Sequence, residues 1–546
     1  RESARPSLCI GAAWFVHSPS GCHAPFGLEL VASMCDVFGP PCFKTPFNRY
    51  IVYRKRPYVY VVGIDKIEQE FAILKINTAT NDLDLSGGEE IFHCRDKDAT
   101  LREIAGADGS LQEIATACGI VGFIRFLQGY YLVLITKHRK LGQIGHNYVS
   151  CIEATCMVQL FSDTVRSEEK KFQQEFNRLN LSKDFYFSYT YHLSRSLQAN
   201  MADVARARSA GEQYARHPLY VETDPSKHHR FVWNHHLMGP FLKREAWQRW
   251  CLPIIHGFFH YAKCVFGWSF EVVLIARRSR FYAGTRYRKR GLNVAGKVAN
   301  EVETEQLLCE DCNRQLSQGH VMSFVQIRGS VPLFWSQEAT AINPKPPINY
   351  PRCDPTLSAT RLHFKDLLER YGTPQLVVNL MKARKADSYE ARLCRHFESS
   401  IERMNRELPL AIRLLYRPFD VKNHARANDV FGVFGKVAES VVSRVGFFHT
   451  GHPNYGEPRR VQSGVVRANC VDCLDRTNVL QFFVGLEVFK QQLQELGLLR
   501  ENRLEFDSTL AGFLSEMYDL MGDHLALQYA GSVAHKKYQV LGARPR

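Results

Sequence analysis

The string Arg467-Ala-Asn-Cys470-Val-Asp472-Cys473-Leu-Asp475-Arg476-Thr477-Asn478 sets a cysteine six residues before an arginine, immediately ahead of a long apolar pattern. These residue types at this spacing suit covalent phosphate chemistry. A tight loop between Cys470 and Arg476 turns backbone N–H groups inward, those of Val471, Cys473 and Leu474 among them. The helix that follows adds its positive N-terminal end, and Arg476 can grip two phosphate oxygens at once. Such surroundings favour the thiolate form of a cysteine, which is the nucleophile.

The chemistry this predicts is in-line attack of Cys470 on phosphorus, with Arg476 and the loop amides stabilising the equatorial oxygens and water hydrolysing the phosphocysteine. Thr477 is placed to donate to the thiolate. A general acid must protonate the leaving oxygen, and Asp472 and Asp475 are both candidates. In a tight loop one of them can instead brace the backbone or pair with a base. No metal or other cofactor is required.

Spacing alone is weak, because sixteen cysteines in an arginine-rich chain give on the order of one accidental match. The context is specific. Val479, Leu480, Phe483, Leu486, Val488, Phe489, Leu493 and Leu496 recur with helical period and stop at Gly497, so the loop sits at a helix start. Cys470-x2-Cys473 and Cys309-x2-Cys312 together imitate a four-cysteine zinc set. Their separation and the acidic residues inside each pair argue against it. Cys473 is better read as a neighbour able to trap an oxidised Cys470.

The elements that must position the loop read as two kinds. Residues 53–140 are strand-rich (58–62, 71–76, 119–127, 130–135) with Gly, Asn and Asp between the runs. Further on, apolar strands at 270–275, 324–327, 376–380 and 411–415 alternate with amphipathic helices, which predicts an α/β core. The division expected is an uncertain extension over 1–46, a β-rich subdomain over 47–184 and a catalytic α/β domain over 185–546, with residues 199–229 as an insertion loop.

The twelve-residue string resembles the signature of the Sac-domain phosphoinositide phosphatases, Arg-(Ser/Thr)-Asn-Cys-x-Asp-Cys-Leu-Asp-Arg-Thr-Asn, departing only at Ala468. Further landmarks follow in the family's order. They include Arg286-Tyr-Arg288-Lys289-Arg290-Gly-Leu-Asn293, Val298-Ala-Asn300-Glu-Val-Glu303-Thr-Glu305-Gln306, Arg328-Gly-Ser-Val-Pro-Leu-Phe-Trp335 and Met521 to Ser532, where Ala530-Gly531 replaces the usual two glycines. The resemblance implies phosphate or membrane contact for Arg288, Lys289 and Arg290, and a site-wall role for Asn300, Glu303 and Glu305. For Arg328 a site-lining role stands beside a plain strand-and-turn reading.

The span 298–309 and Asn343 to Ile348 look most like the endosomal and vacuolar members. For those the resemblance implies removal of the 5-phosphate from phosphatidylinositol 3,5-bisphosphate at a cytosolic membrane face, in company with a scaffold protein and the phosphatidylinositol 3-phosphate 5-kinase. It also implies a chain that continues beyond residue 546. A Sac phosphatase acting on phosphatidylinositol 4-phosphate, a phosphoprotein phosphatase and a mainly structural scaffold are the rival readings.

Composition agrees with a folded chain of two or three domains: 546 residues, 45% hydrophobic and 23% charged. A net charge of +15 calls for an anionic partner. The phosphate loop tilts that choice to phosphorylated lipid rather than nucleic acid. No apolar run reaches the roughly 18 residues of a membrane span, so attachment to a membrane is expected to be peripheral. The unpatterned cysteines point to reduced thiols in a cytosolic setting.

Overall fold

The computed structural model describes residues 46–79, 82–107, 109–161, 166–202, 229–244, 247–266, 268–310, 320–338, 346–381, 388–419, 430–450, 458–472, 474–499, 504 and 508–534. Nearly all of the expected extension, most of the expected insertion loop, Cys312 and Cys473 lie outside the described residues.

Two sheets organise these residues. The smaller has six strands, antiparallel in every pairing, built from residues 49–55, 58–64, 70–77, 84–87 and 112–117 with 92–93 at one side. Its strands are rich in Val, Ile and Tyr, and each pleat sends every second side chain into one core. The larger sheet has twelve strands. It starts with antiparallel strands Gly119–Arg125, Tyr130–Ile144, Asn147–Gln159 and Phe185–Phe187. It continues through β1 (Ile255–Phe266), β2 (Trp268–Arg278), β3 (Val302–Glu310) and β4 (Val321–Ser330). The expected division at residue 184 therefore falls inside one continuous sheet, because Tyr186 pairs with Cys151 on one side and Ile255 on the other.

Beyond β4 the pairing turns parallel, in the order β4, β7 (Val465–Cys470), β5 (Gln375–Asn379) and β6 (Leu415–Pro418). All six residues of β7 are buried and so are all ten of β4, as expected for strands covered on both faces. Helices α1 (Ser358–Tyr371) and α2 (Tyr389–Glu407) close one face, where Ile327, Val377 and Val465 meet Phe364, Leu393 and Phe397. Helices α3 (Val430–Val445), α4 (Asp475–Glu495) and α5 (Thr509–Ala530) close the other, where Val466, Ala468 and Cys470 join a core with Leu480, Phe483 and Leu514. The alternation of Val465 and Val466 between two cores is the strand's period of two made visible.

Helix α4 is buried nearly all round rather than along one stripe, because α3, α5 and the sheet enclose it. Its Phe483 stacks on Phe434 at 4.8 Å, and truncating such a ring costs about 3–5 kcal/mol. The strand expected at 411–415 is displaced. Pro409 opens a short 3-10 turn over Leu410–Ile412, and the strand begins at Leu415. The side chain of Asn405 holds both the N–H and the carbonyl of Leu414 at 2.9 Å, which ends the turn there.

Candidate active site

The C-terminal ends of β4, β5 and β7 lie together: Ser330 pairs with Cys470, and Asn379 with Asn469. That end of a parallel array, where strands hand over to helices, is where ligands collect in α/β sheets. Cys470 is the last residue of β7 and is 2% exposed. Five residues on, α4 begins. Leu474 occupies its N-cap with φ −109° and ψ −97° and supplies no side-chain cap, so its own side chain does not compete with an anion for the first-turn N–H groups.

The loop is braced from outside by the basic run. Arg286 forks onto Asp472, Nε to Oδ1 at 3.0 Å and Nη2 to Oδ2 at 2.8 Å. Arg290 donates from Nη2 to Asp472 Oδ1 and from Nη1 to the Val471 carbonyl, both at 2.6 Å. Arg290 is itself enclosed, its guanidinium 5.4 Å from the Trp335 ring centre and 5.6 Å from that of Tyr287. Burial works to raise the Asp472 carboxyl, but Arg290 and Arg286 outweigh it and hold it below the ordinary carboxylate value. An ionised, twice-paired Asp472 is a brace and a poor proton donor. Asp475 differs: its Oδ1 is buried with no hydrogen-bond partner among the described residues. So is Thr477 Oγ1.

Gly291 makes the brace possible. It takes φ +61°, and a Cβ there would stand 2.3 Å from the Leu333 carbonyl oxygen, so the chain turns at this point only with glycine. Its N–H donates to Ser330 Oγ at 2.9 Å, tying the basic run to the end of β4. On the other flank Arg286 N–H donates to the Tyr529 carbonyl, just before α5 ends at Gly531 with φ +77°. Only Gly531 needs the left-handed conformation, and Ala530 closes the helix without strain.

Arg476 is anchored separately. Its Nη1 donates to the Leu380 carbonyl at 2.8 Å and to Glu390 Oε1 at 2.6 Å. Burial works against its charge, but Cys470 and Glu390 more than compensate, so the guanidinium is held even more firmly protonated than usual.

The other candidates separate by position. Arg288 is exposed and Lys289 half-buried, its Nζ 5.0 Å from the Tyr282 ring centre. Arg328 is 1% exposed and donates to Asn478 and Gln481 at 3.5 and 3.4 Å, so it props α4 from below rather than lining an opening. Asn300, at φ +50°, is buried in the turn before β3 with its Nδ2 unpartnered among the described residues. Glu303 and Glu305 both accept from the fully buried Arg277 of β2, which makes them internal ion pairs of the sheet. Zinc sharing between the two cysteine pairs is excluded by register. Cys309 pairs with Val321 and Cys470 with Ser330, at opposite ends of β4, roughly 30 Å apart at about 3.3 Å per residue. Sequence reasoning missed Arg286 as a clamp and Glu390 altogether; only the basic run carried a signal for the first.

A buried cysteine at a strand end, an anchored arginine and an uncapped helix start can bind a phosphoryl group and attack it. The SacI homology domain model matches residues 118–426. The chain belongs to the Sac (SacI homology) domain family. Among Sac relatives, the Arabidopsis thaliana protein named phosphatidylinositol-3-phosphatase SAC1 is 33% identical, over 89% of this chain and 60% of its own length. Phosphoinositide phosphatase SAC2 of the same plant is 34% identical, over 90% and 67%. The polyphosphoinositide phosphatase of Schizosaccharomyces pombe is 35% identical, over 89% and 58%. The chain thus spans about three fifths of the length of these Sac relatives. Among the described residues no helix is long and apolar enough to cross a membrane.

Proposed function

We propose that this chain is a phosphoinositide phosphatase that removes the 5-phosphate of phosphatidylinositol 3,5-bisphosphate through a phosphocysteine. The observation that carries the reaction class is Cys470 at the end of β7, with Arg476 anchored beside it and the uncapped start of α4 ahead of it. Cys470 sulfur attacks phosphorus as the bond to the inositol oxygen breaks, and Asp475 gives that oxygen its proton. Water then attacks phosphorus and the S–P bond breaks. Asp475 takes the water's proton, Thr477 Oγ1 steadies the leaving thiolate, and inorganic phosphate departs. Arg476 and the N–H groups of Val471, Cys473 and Leu474 carry the equatorial charge. Arg288 and Lys289, outermost on the basic run, meet the lipid surface.

The name of the Schizosaccharomyces pombe relative supports a substrate with more than one phosphate. The resemblance of residues 298–309 to the endosomal and vacuolar subgroup supports the 3,5-bisphosphate, a peripheral place on those membranes, and association with a scaffold and the opposing lipid kinase. A second reading, removal of a 3-phosphate, is favoured by the name of the first Arabidopsis thaliana relative. Purified chain and Cys470→Ser, incubated with liposomes carrying each phosphoinositide, separate these. The 5-phosphatase reading requires conversion of the 3,5-bisphosphate to the 3-phosphate by the wild type alone. Appearance of the 5-phosphate supports the second reading, turnover of phosphatidylinositol 4-phosphate instead supports a 4-phosphatase, and equal rates in both proteins remove Cys470 from the mechanism.

A further inference from the structure

Among the described residues, both hydrogen bonds of the Arg476 guanidinium converge on one nitrogen. Nη1 meets the carbonyl of Leu380 and the carboxylate of Glu390, while Nε and Nη2 have no partner among the described residues. The two anchors come from consecutive parts of the fold. Leu380 extends β5, its N–H donating to the Asn469 carbonyl at 2.9 Å, so its own carbonyl is fixed relative to the strand that carries Cys470. Glu390 stands in the first turn of α2, where a negative side chain suits the helix end, and Ser388 caps that turn through its Oγ to Ala391 N–H at 3.2 Å. A guanidinium held by Nη1 keeps its Nε–Nη2 edge, the edge that matches two oxygens of a phosphate.

We propose that Glu390 is a positioning residue that presets Arg476, pinning one side of the guanidinium so that the opposite edge meets the phosphoryl group. This rests on the phosphate-loop reading of Cys470 and Arg476. Glu390 acts only through Arg476 and touches no substrate. Its contribution is preorganisation: the arginine arrives at the transition state already oriented, and the cost of ordering a long side chain is met in folding.

The test is a double-mutant cycle on the full chain, with Glu390→Ala, Glu390→Gln, Arg476→Lys and the Glu390→Ala/Arg476→Lys pair. Two quantities are measured: turnover of a short-chain phosphatidylinositol 3,5-bisphosphate, and affinity for orthovanadate read as protection of Cys470 from alkylation. Glu390→Ala is expected to lower kcat by about 10- to 100-fold with KM changed little, and to weaken vanadate by a comparable factor. Glu390→Gln, which keeps an acceptor, loses less. In the Arg476→Lys background the Glu390→Ala change has almost no further effect, a non-additivity that loss of general fold support would not produce. Multiplicative effects in the double mutant, or an unchanged kcat in Glu390→Ala, overturn the proposal. If the wild type hydrolyses no phosphoinositide yet binds vanadate, the substrate reading falls while the vanadate cycle still decides on Glu390. If it binds no vanadate, both fall.

Discussion

Replacing Arg290 by lysine asks whether the basic run holds the loop or grips the substrate. Arg290 makes two 2.6 Å contacts from two different nitrogens, one to Asp472 and one to the Val471 carbonyl, and its side chain is 1% exposed. Lysine is a single point donor and cannot span both. Asp472 would keep Arg286, so the loss falls on the Val471 carbonyl. A hydrogen bond from a charged group contributes about 1.5–3 kcal/mol, and the Arg290→Lys chain should unfold at lower denaturant by that amount with an unchanged slope. Freed at Val471, the loop shifts relative to Cys470, and a displacement on the order of 1 Å lowers kcat by roughly 100-fold. Equilibrium urea unfolding and steady-state kinetics on mono- and bisphosphorylated lipids measure both effects. A bracing role predicts the same proportional loss on every lipid. If stability is untouched and KM rises selectively for the bisphosphate, Arg290 grips substrate and the reasoning is refuted.

Three further outcomes follow from the charges. Asp475→Asn should lose most of its turnover on poor leaving groups and keep more of it on good ones, measured by steady-state kinetics on the two classes. Asp472→Asn should chiefly destabilise the fold. Because the folded Asp472 carboxyl sits below its ordinary 3.8, its stabilisation is present above that value and disappears as pH falls through the folded one. The gap between wild type and Asp472→Asn in denaturant melts should therefore close below about pH 4. His256 shifts stability in the same direction for a different reason. Burial pushes it down to about 3 from 6.5, so the fold favours its neutral form, and stability is full above 6.5 and declines as pH drops from there toward 3. From pH 7 to pH 5 this group alone should cost about 2 kcal/mol. His256→Phe, which preserves the stack on Phe185 at 4.6 Å, should lessen the acid slope by one proton; an identical slope in both proteins would refute it.

What could be read from the sequence was local. Cys470, Arg476 and the apolar rows of α4 lie within one stretch, and their spacing alone requires a loop ahead of a buried helix. The strands expected at 58–62 and 71–76 likewise announced themselves by composition and run over 58–64 and 70–77. The clamp was not legible, because Asp472 meets partners at 286 and 290, and only the folded chain brings those together. Glu390 looks like any helix-start acid. For Arg328 the motif left a site-lining role and a plain strand position open, and the fold places it on a strand covered on both faces, where Asn478 and Gln481 of α4 receive it inside. Chain order was also a poor guide to division, since Phe185–Phe187 joins sheet strands on either side of the expected boundary.

The clamp on the loop has a consequence for biosynthesis. Its last fixed point, the Tyr529 carbonyl that receives Arg286 N–H, lies 59 residues after Cys470 (529 − 470). At about 5–20 residues per second, the ribosome delivers the cysteine seconds before the helix that locks its surroundings. During that interval the thiol is attached to a loop whose outer brace is unfinished, open to alkylation and oxidation. The nucleophile becomes protected and aimed only once α5 docks.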